Sequence, residues 1–181
     1  MKGIVFSEFI EFVEENYSDQ TADRMIEDSE LPSGGAYTAV GTYDHQEMLT
    51  LVTTLSRLTG VSVPDLVRTF GRHLFGRLTS AYPMFLQGVP NAYDFLKRIE
   101  DHIHREVLKL YPDAELPRFE WRQPDPGTLE LLYRSRRPLA DLAEGLLLGT
   151  AAHFGERLQI AREDLPGDGE TMVRFTLTRD A

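Results

Sequence analysis

Asp101-His102-Ile103-His104-Arg105-Glu106-Val107-Leu108-Lys109-Leu110-Tyr111-Pro112 and Tyr133-Arg134-Ser135-Arg136-Arg137 are the two stretches whose reading decides the fold. The first closes a helix running from about Ala92 to Leu110, because a proline cannot continue it. The second continues the alternation of Leu129 and Leu131, so Tyr133, Ser135 and Arg137 share one face of a strand that starts near Thr128. Helix gives way to strand between these two stretches.

Upstream, the pattern is helical. Val5, Phe6, Phe9, Ile10, Val13 and Tyr17 recur at helical spacing, and a weaker helix spans Thr21 to Ser29 before Leu31-Pro32-Ser33-Gly34-Gly35. Asp44 with Glu47 predicts a capping box ahead of Met48, Leu51, Val52, Leu55 and Leu58. Gly60 ends that helix, and Ser62-Val63-Pro64-Asp65 opens the next. Downstream, Phe119 to Arg122 can pair with the Thr128 strand across Pro124-Asp125-Pro126-Gly127. Pro138 leads into a helix with Leu139, Leu142, Ala143, Leu146 and Leu147 on one face, and Leu158 to Arg162 and Met172 to Thr178 predict two more strands. The expected fold is α+β, with a helical N-terminal part and C-terminal helices packed on a small, about four-stranded, antiparallel sheet.

With 181 residues, 41% hydrophobic, the chain is long enough for one domain with a real core. A net charge of −10 disfavours nucleic acid, since the one dense basic run is Arg134-Ser135-Arg136-Arg137. Leu55 to Phe70 only loosely mimics a helix-turn-helix. The absence of cysteine excludes disulfides, thiolate-bound zinc and iron–sulfur clusters. No apolar run approaches the roughly 20 residues needed to span a bilayer, and no signal-peptide core follows Met1, so a cytoplasmic protein without membrane association is expected.

Five histidines are present, at 45, 73, 102, 104 and 153. On a helix, His102 and His104 lie roughly 160° apart and cannot chelate one ion together. Val107, Leu108 and Tyr111 give His104 the apolar side. From this helix alone, the commoner reading is a half-buried histidine bonded to a carbonyl. Glu100, Asp101 and Glu106 nearby suit acid–base work or, more often, a solvated face. Tyr133, Ser135 and Arg137 could grip a carboxylate at the rim of an apolar site, or simply edge an amphipathic strand. Taken together, one imidazole and a carboxylate grip suit haem.

Across nearly its whole length the chain resembles the haem-based nitric oxide sensors called H-NOX domains, related to the haem domain of soluble guanylate cyclase. The resemblance rests on Met1-Lys2-Gly3-Ile4-Val5-Phe6, Gly71-Arg72, His104 seven residues before Tyr111-Pro112, and Leu116-Pro117-Arg118-Phe119. It continues through Tyr133-x-Ser135-x-Arg137, Ala143-Glu144-Gly145-Leu146 and His153-Phe154-Gly155-Glu156. It implies a single domain, 1–181, holding haem b between a helical distal part (1–62) and a proximal helix-plus-sheet part (63–181). His104 would be the axial ligand to haem iron. Tyr133, Ser135 and Arg137 would hold the propionates, and Pro117 would press on the macrocycle.

Val5, Phe9, Leu74, Leu142 and Leu146 would line the distal side. Oxygen-binding members place a hydrogen-bonding set there, where this chain has Leu142, Phe9 and Leu74. The resemblance therefore implies binding of nitric oxide and carbon monoxide with poor oxygen binding. Nitric oxide would release His104, favouring a five-coordinate state, and relief of haem distortion would shift the two parts. The output would be a separate histidine kinase or cyclic-di-GMP enzyme, with no catalysis by this chain. Many bacterial relatives carry a cysteine-bound zinc, which this chain cannot form. Two alternatives remain: a haem enzyme, disfavoured by an apolar distal side, and a haem-free module holding another carboxylate ligand.

Overall fold

The computed structural model describes residues 1–179. The helical first half comprises α1 (Gly3–Asn16), α2 (Asp19–Ser29), α3 (His45–Thr59) and α4 (Val63–Ala81). After a 3-10 turn at Pro83–Leu86 come α5 (Ala92–Lys97), a π-helical turn (Ile99–His104) and α6 (Arg105–Leu110). Then follow β1 (Arg118–Asp125), β2 (Thr128–Ser135), α7 (Ala140–His153), β3 (Leu158–Leu165) and β4 (Thr171–Arg179). The strands form one antiparallel sheet in the order β1-β2-β4-β3, so β1 and β3 are its edges. The α+β plan is the one expected from the sequence.

Two local expectations change. The helix expected over 92–110 is divided by the π turn, where the Arg98 carbonyl accepts the N–H groups of both His102 and Ile103, at 3.0 and 3.1 Å. Asp44 does cap α3, accepting the Gln46 N–H at 3.0 Å, but Glu47 does not complete a capping box. Its buried carboxylate instead accepts the hydroxyls of Ser33 and Tyr37. Burial, with Glu47 beside it, pushes the Tyr37 phenol up to about 12. Two hydroxyl donors from the preceding loop outcompete one backbone N–H.

The apolar side chains form two cores. One gathers Phe6, Phe9, Phe12, Met25, Leu51, Leu55, Leu66, Phe70 and Leu74 from α1 to α4. The other gathers Phe75, Tyr93, Leu96, Leu129, Leu131, Tyr133, Leu147, Phe175 and Leu177. Both cores draw on residues beyond position 62. Helix α4 gives Leu66 to Leu74 to the first core and Phe75 to the second. Leu146 of α7 packs against both.

Helices α4 and α7 cross at glycines. A Cβ on Gly145 would collide with the Arg68 carbonyl oxygen and lie 2.8 Å from Gly71 Cα. One on Gly71 would lie 2.6 Å from the Leu142 carbonyl oxygen. Around this contact, Arg68 of α4 and Arg162 of β3 share Asp141 and Glu144 of α7.

Gly145→Ala must push backbone against backbone, so it should destabilise the protein by about 1–3 kcal/mol. Gly76→Ala, in the same α4 but with nothing within 4 Å of the added carbon, should be neutral or stabilising by up to about 1 kcal/mol. Urea unfolding of the two variants checks this; equal midpoints would contradict the close crossing.

Candidate functional site

The π turn presents His102 and His104 to different surroundings, as helical geometry requires. His102 is exposed, whereas the His104 side chain is 15% exposed. His104 Nδ1 lies 3.0 Å from Glu100 Oε1. A carboxylate only accepts, so Nδ1 carries the proton of the neutral ring. That leaves Nε2 with a lone pair, and it makes no hydrogen bond among the described residues. Burial lowers the His104 pKa, with the neighbouring Glu100 charge and hydrogen bond opposing.

Glu100 Oε1 also accepts the backbone N–H of Phe119 at 2.8 Å. The Phe119 ring stands 6.2 Å from the imidazole and 5.4 Å, edge-on, from Tyr133. Reading the charged residues of this helix as a solvated face misses Glu100. Its spacing, four residues before His104, was the available signal.

Strand β2 carries the second group. Leu129, Leu131 and Tyr133 are buried on one face, as their alternation predicts. Ser135 ends the strand, and its hydroxyl accepts the Arg137 N–H at 3.0 Å. Arg137 thus lies past the strand, fixed by a local turn rather than by pleat. Its guanidinium, 17% exposed, pairs with the largely exposed Glu115 carboxylate. Burial raises the Tyr133 phenol, opposed by the Ser135 hydroxyl and the Arg137 and Arg162 charges. The amine of Met1 is lowered by its own burial and then by the Arg137 charge. That amine donates to the Tyr43 carbonyl at 2.7 Å. Pro117 is half-buried just before β1.

The apolar candidates gather elsewhere. Phe9 and Leu74 are buried in the first core, and Val5, Leu142 and Leu146 pack against it while only partly buried. None of these five side chains carries a hydrogen-bond donor. Lys2 and Thr42 both bond Asp113, at 3.0 and 2.6 Å, and tie the N-terminal segment to the loop after α6.

The donor set fits haem. A neutral imidazole with one nitrogen fixed by a carboxylate and the other unbonded is what an iron ligand needs. A guanidinium already engaged by one carboxylate can take another. Val5, Leu142 and Leu146 are apolar and only partly buried, so each keeps surface that a ligand could cover.

A family model described as Haem-NO-binding matches residues 2–162. The unliganded Fe(II) H-NOX protein from K. algicida is 39% identical, with a TM-score of 0.92 over 100% of this chain and 97% of that one. The H-NOX protein from Shewanella woodyi, solved with IWP-051 in the Fe(II)CO ligation state, is 43% identical, with a TM-score of 0.84 over 99% and 95% of the two chains. A mutant of T. tengcongensis H-NOX, 21% identical at a TM-score of 0.89 over 100% and 98%, shares the fold. No curated protein matches the chain.

The buried, neutral His104 sets a pH dependence. Its folded pKa lies below the ordinary 6.5, so just below that pH the unfolded chain binds more protons. Its contribution to stability is full above about 6.5 and is lost as pH falls through the window beneath that value. Urea unfolding of the haem-free protein at pH 7.5 and 5.5 should show a smaller loss for His104→Gln than for the parent protein; equal losses would contradict a neutral, half-buried imidazole.

Proposed function

We propose that this chain, which belongs to the Haem-NO-binding (H-NOX) family, is a ferrous-haem sensor of nitric oxide that also binds carbon monoxide and holds oxygen poorly. One observation carries the reading: a half-buried, neutral His104 whose Nδ1 is bonded and whose Nε2 is not. The iron- and CO-containing structures of relatives about 40% identical support it.

Bound haem b would supply a ferrous iron able to take a diatomic gas. His104 Nε2 would ligate that iron. Arg137 would exchange Glu115 for a propionate, with the Tyr133 phenol and Ser135 hydroxyl as further donors. Pro117, half-buried ahead of β1, would press on the macrocycle. Val5, Phe9, Leu74, Leu142 and Leu146 would exclude water from the opposite side. Bound oxygen carries partial negative charge and needs a hydrogen-bond donor to stay; these side chains offer none. Nitric oxide and carbon monoxide need no such donor.

Signalling would begin when His104 is released. The π turn would then lose one of its anchors, and the two cores, joined through α4, α7 and the Lys2–Asp113 tie, would settle into a second packing. The output would fall to a separate partner, a histidine kinase or a cyclic-di-GMP enzyme, with no catalysis by this chain.

The ferrous protein should keep its absorption spectrum in air and change it on adding nitric oxide or carbon monoxide. Leu142→Tyr, which adds a donor on the distal side, should make the spectrum air-sensitive in a reversible way. A parent protein that binds oxygen reversibly would contradict the apolar distal side, and a colourless one would contradict haem binding.

A further inference from the structure

Glu100 is the charged residue that the proposed function leaves unused, and its geometry is specific. A solvated glutamate four residues before a histidine would give a surface ion pair of little consequence. Here a single oxygen, Oε1, serves two donors from different elements: the His104 imidazole at 3.0 Å and the Phe119 backbone N–H at 2.8 Å. The first lies on the π turn and the second on β1.

Phe119 pairs with Tyr133 on β2, and its ring neighbours both His104 and Tyr133. The carboxylate therefore connects the imidazole to the strand pair that carries the Tyr133-Ser135-Arg137 group. Strand β1 is an edge strand, so the N–H of Phe119 has no further strand to bond, and Glu100 serves it instead.

Two consequences follow from elementary chemistry. An acceptor-only group at Nδ1 fixes the tautomer that leaves Nε2 free to ligate, and its negative charge makes that nitrogen a stronger donor. A shared oxygen also makes displacement of the imidazole and displacement of β1 one event, since neither donor can leave without altering the other's bond.

We propose that Glu100 is a positioning residue: it sets the tautomer and donor strength of His104 and tethers the π turn to β1 at Phe119. The part concerning donor strength rests on His104 being the haem ligand; the tether does not.

The test uses the ferrous full-length protein, Glu100→Gln and Glu100→Ala, with His104→Ala to identify the ligand. Resonance Raman reads the iron–imidazole stretch, and hydrogen exchange reads the Phe119 amide. Both variants should lower the stretching frequency while keeping the pigment, because neither supplies a negative charge at Nδ1. Exchange at Phe119 should quicken by about tenfold or more in Glu100→Ala, the size expected for losing a charge-assisted bond. It should quicken less in Glu100→Gln, whose amide oxygen still accepts.

An unchanged frequency in both variants, with a parent frequency that disappears in His104→Ala, would overturn the donor-strength role and leave the haem reading intact. Unchanged exchange at Phe119 in Glu100→Ala would overturn the tether. A parent protein without pigment would sink the haem reading and the donor-strength role together, and the exchange rates would still decide the tether.

Discussion

The structure turns on one imidazole with one satisfied nitrogen. His104 places only Nδ1, against Glu100, and the surrounding chain supports that arrangement from several sides. The π turn carries the ring, β1 supplies the second donor to the same carboxylate, and Phe119 neighbours both the ring and Tyr133. In the proposed reading, the unbonded Nε2 would meet a partner that brings its own acceptor orbital. A metal held in a flat anionic ligand would satisfy that nitrogen and the Arg137 fork together.

Around this centre, the two cores are joined through α4 and through Leu146 of α7. The α4–α7 crossing is a backbone-to-backbone contact made possible by Gly71 and Gly145, so small side-chain adjustments cannot absorb a shift there. The ion pairs of Arg68 and Arg162 with Asp141 and Glu144 bind the outer side of the same crossing to β3. Lys2, Thr42 and Asp113 make a second tie between the N-terminal segment and the loop beyond α6. A second packing of this interface, as proposed for signalling, would convert a small local displacement into a discrete change.

The periodic features were legible in the sequence. Alternation placed Leu129, Leu131 and Tyr133 on one buried face, and helical geometry separated His102 from His104. The features that escaped depend on contacts between distant segments. Glu100 sits in a charged helical stretch that looks solvated, and only the arrival of Phe119 from β1 shows its second bond. Glu47 carries the spacing of a capping residue, yet Ser33 and Tyr37 fold back onto it. The π turn has no side-chain signature, since it adds one residue to a turn without altering the apolar pattern. Arg137 shares the strand's alternation but owes its position to the Ser135 hydroxyl beyond the strand's end.

The most direct measurement is a proton NMR spectrum of the diamagnetic ferrous carbon monoxide form, with histidine, valine and leucine assigned. A porphyrin ring current shifts protons above and below its plane strongly upfield. The account predicts such shifts for the His104 ring on one side and for methyl groups of Val5, Leu142 and Leu146 on the other. Ordinary positions for the His104 ring protons, or a shifted set belonging to another histidine, would contradict it.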